Sequence, residues 1–92
     1  MWAALTDGDA VERWLAPAAS TWLSGLREIE PGRVLEVDWR RGDEAPSAVR
    51  VELIATDGGT TLVLDHRRIA APVGMRYMGR WTWALERLEE QL

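Results

Sequence analysis

The chain has 92 residues, 47% of them hydrophobic and 28% charged, with a net charge of −4, which is the make-up of one soluble globular domain over residues 1–92. The acidic balance argues against a surface built for phosphate backbones, so no nucleic-acid partner is expected. No run reaches the roughly 18 apolar residues of a membrane span, and the absence of cysteine excludes disulfides and thiolate metal sites.

Met1 to Asp7 contain no basic region leading into a long apolar run, so they do not read as a secretion signal, and a cytoplasmic location is the expectation. The aromatic choice is unusual: six Trp, one Tyr and no Phe. Each indole brings a large apolar area and an N–H that needs an acceptor, which places several at the edge of a core or cavity. A domain of this size buries only about 60 to 65% of its unfolded surface, so each of those placements matters.

In chain order, Trp2 and Leu5 suggest a short helix that Asp7-Gly8-Asp9 breaks, with a carboxylate there to cap a second one. In the second helix Val11, Trp14 and Leu15 share a face, and Pro17 ends it. Ala16 to Ser20 reads as a short connection. Thr21 to Glu28 is predicted as a strand, with Trp22 and Leu26 on one face and Gly25 at a bulge or a close backbone approach. After the turn residues Glu30-Pro31-Gly32, Arg33 to Arg40 forms a strand in which Leu35, Val37 and Trp39 alternate with polar residues. The polar loop Arg41 to Ser47 holds Gly42, Asp43, Glu44 and Pro46. Ala48 to Ala55 and Thr60 to Arg67 form a hairpin across Asp57-Gly58-Gly59, with Val49, Val51 and Leu53 on one face of the first strand. The second strand carries Leu62, Leu64 and His66 on a single face. The arginine pairs Arg40-Arg41 and Arg67-Arg68 read as solvated strand ends.

The last stretch, Val73 to Leu92, is an amphipathic helix with Pro72 in its first turn. Its predicted apolar stripe is Met78, Trp81, Leu85, Leu88 and Leu92, extended by Met75 and Tyr77. Gly79 reads as a site of close approach. Trp83 lies roughly 160° around the helix from Trp81. It is either an indole laid over neighbouring arginine stems or an interface anchor. The predicted fold is therefore α+β: an antiparallel meander of about four strands packed on a long C-terminal helix, after two short N-terminal helices.

Catalytic chemistry is thinly represented. His66 is the lone imidazole, which excludes two-histidine metal sites; it is either structural, at the end of the sheet, or part of a ligand site. Glu36, Asp38, Glu52, Glu86, Glu89 and Glu90 fall on solvent faces, and Gly58-Gly59 has neither a P-loop lysine nor a following helix. No catalytic residue, metal site or cofactor is called for. Trp22 and Trp39 beneath Met75, Met78 and Trp81 either enclose an apolar cavity or fill a small core.

Taken together, several stretches resemble the START-like, helix-grip (SRPBCC) superfamily, in the branch named after the activator of the ninety-kilodalton heat-shock chaperone ATPase. They are Met1-Trp2-Ala3-Ala4-Leu5-Thr6-Asp7 with Trp14-Leu15-Ala16-Pro17, Gly25-Leu26 to Glu30-Pro31, Arg33-Val34-Leu35 to Trp39, Pro46 to Leu53, Gly58 to His66, and Trp81 to Leu88. Members usually have a strand before the first tryptophan and further strands after the second helix. Here the first is lacking and the second is compressed into Ala18 to Trp22, a shortened helix-grip with an exposed sheet edge.

The resemblance implies a non-enzymatic domain holding a small apolar molecule between sheet and C-terminal helix, through Trp22, Trp39, Leu62, Leu64, His66, Met78 and Trp81. Its alternatives are a chaperone-linked protein-interaction module of the stress response, with Trp83 in the interface, and, lower, a cyclase-like enzyme. The exposed edge suggests a homodimer. No membrane partner is expected.

Overall fold

Asp7 separates the first two helices in the manner its side chain allows. It ends α1, Trp2–Thr6, and its carboxylate accepts a hydrogen bond of 3.0 Å from the Ala10 N–H, capping α2, Gly8–Leu15. Val11, Trp14 and Leu15 are the buried residues of α2, as their spacing predicts. The computed structural model describes residues 1–42, 44–69 and 71–91; Asp43 of the predicted loop and Leu92 of the predicted stripe lie outside them.

The next segment differs from the strand predicted over Thr21 to Glu28. Residues Ala19–Gly25 form a third helix, α3, and the first strand, β1, runs only from Leu26 to Glu30. The four-residue spacing of Trp22 and Leu26 fits a strand face, but the spacing of Ala18, Ala19 and Trp22 fits one face of a helix equally well, and burial decides between them. Ala19 and Trp22 are buried, and the Trp22 indole N–H donates to the Leu5 carbonyl at 2.9 Å, a partner available only from the helical side of the molecule. Gly25 is the close approach expected: a Cβ there would lie 2.1 Å from the Asp38 carbonyl oxygen.

Beyond that point the strands follow the two-residue period. β2 is Val34–Trp39, β3 is Ser47–Thr56 and β4 is Gly59–Arg67, and the sheet order is β1-β2-β3-β4, antiparallel throughout. On the inner face Leu35, Val37, Trp39, Val49, Val51 and Leu53 are buried. The outer face carries Arg27 against Glu36 and Asp38, Arg50 against Glu36, and Arg33 against Glu52. Exposed pairs of this kind contribute at most about 1 kcal/mol each, so the sheet is held by its inner face. Burial declines toward β4, where Leu62, Leu64 and His66 are only half-buried.

The C-terminal helix α4, Ala71–Glu90, lies across the inner face and alongside α2. Its buried stripe is Tyr77, Trp81, Ala84 and Leu88, with Leu85 and Val73 partly buried. The prediction is thus corrected by a small rotation of the helix. Met75 and Met78 are 73% and 70% exposed, because Tyr77 takes the place beside Trp39 and small Ala84 lies on the buried side. Gly79 is exposed and a Cβ there would meet nothing within 4 Å, so it is not a close approach.

Gly25 and Gly58 make a paired test. Gly25→Ala places its methyl group against backbone that has no room to yield, so it is expected to destabilise the domain by at least about 2 kcal/mol in urea unfolding. At Gly58, where nothing lies within 4 Å of an added Cβ, alanine is expected to change stability by less than about 0.5 kcal/mol. Equal effects at the two positions would show that the Asp38 contact does not constrain Gly25.

Candidate functional site

Six side chains from five segments meet between the sheet and α4. Trp39 closes β2, Ser47 opens β3, His66 lies near the end of β4, Tyr77 and Trp81 come from α4, and Glu44 comes from the β2–β3 loop. The β2–β3 register pairs Trp39 with Ser47, and the β3–β4 register pairs Val49 with His66, so three of the groups are brought together by strand pairing alone. Trp39 and Trp81 are in edge contact with ring centroids 5.1 Å apart, and Trp39 meets Tyr77 at 6.1 Å. Trp22 touches Trp81 at 6.2 Å from the other side.

These contacts fill the space in which the sequence allows a cavity. Trp22, Trp39 and Trp81 are 0%, 2% and 7% exposed, and they pack on one another rather than around a void. Trp22 and Trp39, both predicted as ligand contacts, are buried in this packing and are not among the residues lining the groove between β4 and α4. What is open is the rim. Leu64, His66, Met78 and Trp81, all predicted, line a groove of about 340 Å³ between β4 and α4 together with Ile69, Tyr77 and Leu85. Leu62 is half-buried on β4 and is not among the groove residues.

The hydrogen bonds around His66 decide what the cluster can do. The Trp81 indole N–H donates to His66 Nδ1 at 3.1 Å, so Nδ1 is an acceptor and the ring proton resides on Nε2. That Nε2–H donates to the Ser47 Oγ at 2.7 Å, leaving the Ser47 hydroxyl free to donate to the Trp39 carbonyl at 3.4 Å. The Ser47–His66 distance is that of a nucleophile and its base, but the proton is on the wrong atom. A general base needs a free lone pair facing the hydroxyl, and here the one lone pair is held by an indole. Beside it Tyr77 accepts from the Trp39 N–H at 3.1 Å and donates to Glu44 Oε1. Burial, reinforced by the bond to Glu44, pushes the Tyr77 phenol up, so it stays a neutral donor at neutral pH.

Neither Ser47 nor Glu44 is singled out by the sequence, since their role depends on the register of strand ends far apart in the chain. Trp83 is 52% exposed, with the Arg87 guanidinium 4.7 Å over its ring. The stacked-arginine arrangement expected for it is therefore present, and the exposed ring leaves the interface role compatible with the geometry.

His66 also links stability to pH. Burial lowers its pKa below the ordinary 6.5, against the opposing fields of Glu44 and Asp65. The unfolded chain then binds the proton more readily than the folded one, so stability is complete above about pH 6.5 and declines as pH falls toward the folded-state pKa. Protonation would also set Nδ1–H against the Trp81 N–H. Urea unfolding of wild type and His66→Gln between pH 7.5 and 5 should show a shallower decline in the variant over that window, and matching slopes would assign the titration to another group.

Among the described residues there is no group of three or more His, Cys, Asp or Glu placed to hold a metal. Among the described residues no helix is long and apolar enough to cross a membrane. No curated protein and no solved structure gives a significant match to the chain. A family model does. It spans residues 19–92, from the start of α3 through the sheet and α4, while α1 and α2, on which part of the resemblance was placed, lie before it. Four antiparallel strands gripping a C-terminal helix agree with that match, and the chain belongs to the START-type family described as Activator of Hsp90 ATPase homolog 1-like protein.

Proposed function

We propose that this domain is a non-catalytic binding module that takes a small apolar group in the open groove between β4 and α4. The observation that carries this reading is Met78, a large thioether left 70% exposed beside half-buried Leu64, with Leu85 and Ile69 in the same wall. Methionine adapts its shape to different apolar partners at little cost, which suits a groove rather than a fixed core. The non-catalytic part of the reading is supported by His66, whose two nitrogens are both engaged. A groove of about 340 Å³ is at the small end of ligand sites.

A second reading is favoured by a separate observation. β4 pairs with β3 on one side and has no partner on the other among the described residues, while Val63 and neighbouring Ile54 are 45% and 44% exposed. A nine-residue free edge with apolar side chains is where another chain adds a strand. The partner in this reading is a protein: a second copy, giving the homodimer, or a chaperone of the kind the family is named for. Trp83 offers a further contact on α4.

The two readings separate in one set of samples. Titration of cyclohexanol, followed by amide chemical shifts, should perturb Leu64, Met78 and Leu85 in wild type, and Met78→Asp should weaken the response at least about tenfold by placing a charge in the apolar wall. Unperturbed groove residues at saturating cyclohexanol would reject the small-ligand reading. Light scattering over a concentration series tests assembly: a doubled mass abolished by Val63→Lys is the result expected of edge pairing, and a constant monomer mass removes the homodimer.

A further inference from the structure

A second concavity lies on the other side of α4, where the α2–α3 junction faces the β2–β3 loop. It has a volume of about 810 Å³ and a floor of Leu15, Ala18 and Ala84, all buried, with the half-exposed Trp83 at its side. Two guanidiniums, Arg41 and Arg80, stand in its wall. Both also line a narrow recess that continues inward to Trp39, Tyr77 and Trp81. None of the cleft's lining residues belongs to the β4–α4 groove.

We propose that this cleft binds an aromatic carboxylate, with its ring on the apolar floor beside Trp83 and its carboxylate between Arg41 and Arg80. Charge is the first argument. The chain as a whole carries −4, yet among the described residues this cleft holds two arginines against one carboxylate, Glu44, which already accepts a hydrogen bond from the Tyr77 hydroxyl. Neither Arg41 nor Arg80 forms an ion pair among the described residues, and what sets them apart from the other arginines without one is that both line the same apolar cleft and its inner recess. Planar guanidinium groups are the donors best matched to a carboxylate, and two of them in one apolar-floored cleft suit an anionic ring compound.

Shape is the second argument. The Arg80 guanidinium lies 5.3 Å from the Tyr77 ring centroid, which steadies it at the inner end of the cleft. Arg87 stacks on Trp83 and donates to the Arg13 carbonyl at 2.9 Å, so the indole is braced against α2. Gly79, one turn before Trp83 in the cleft's lining, has open space where a Cβ would be and leaves room beside the indole. A flat ring fits against an indole and alanine methyl groups, and the polar end then meets the arginines.

The test uses the 92-residue chain and 2-naphthoate, with its uncharged amide as the matched control, by isothermal titration. The acid should bind, and the amide should bind at least about tenfold more weakly, as expected from losing charge-assisted hydrogen bonds. Arg80→Gln and Arg41→Gln should each weaken the acid about five- to tenfold without changing the amide. Met78→Asp, in the other groove, should leave both unchanged. Equal affinity for acid and amide overturns the proposal, as does loss of binding in Met78→Asp with the arginine variants unaffected. An absence of heat up to the solubility limit of the acid overturns it too.

Discussion

The structure depends on giving every buried indole an acceptor. Trp14 donates to the Ala4 carbonyl, Trp22 to the Leu5 carbonyl, Trp39 to the Tyr77 hydroxyl and Trp81 to His66 Nδ1, while Trp2 at the surface donates to Glu28. Each bond joins two different elements. The rings of Trp14, Trp22, Trp81 and Trp39 meet in an unbroken row, 5.1 to 6.2 Å between centroids, running from the N-terminal helices through α4 to the sheet. An unmet indole N–H in this interior would cost about 1–3 kcal/mol, a large share of the stability of so small a domain. Helix order and strand register are therefore bound to the same set of hydrogen bonds.

That constraint explains which parts of the fold are legible in the sequence. The Asp7 cap, the face of α2, the β2 and β3 alternation and the hairpin at Asp57-Gly58-Gly59 are local patterns, and the structure agrees with them. Trp22 is not a local case. Its spacing from Leu26 suits a strand, and only the Leu5 carbonyl, which becomes its neighbour after folding, makes the helix the better solution. The same holds for α4, where Met75, Tyr77 and Met78 all read as part of the apolar stripe but Tyr77 alone of the three is buried. The choice goes to Tyr77 because Trp39 needs its hydroxyl.

The candidate site follows the same division. Leu64, His66, Met78 and Trp81 are visible in the sequence as members of one strand face and one helix, and they do meet at the groove. The state of His66 is not visible there, since it is set by Trp81 on one nitrogen and Ser47 on the other. The family relation concerns residues 19–92, and fold kinship alone leaves the chemistry to be argued from such contacts. Those contacts describe a packed centre with open margins on both sides of α4.

The decline in burial from β2 to β4 has a consequence for motion. Hydrogen exchange should be slowest in β2 and β3, whose inner faces are sealed by the aromatic row, and faster in β4, an edge strand whose side chains are only half covered. The wall of the groove then opens more readily than the two central strands. A ligand seated there would slow exchange in β4 while leaving the centre of the sheet as it was, so a lightly protected edge strand is also the one whose order an occupant can change.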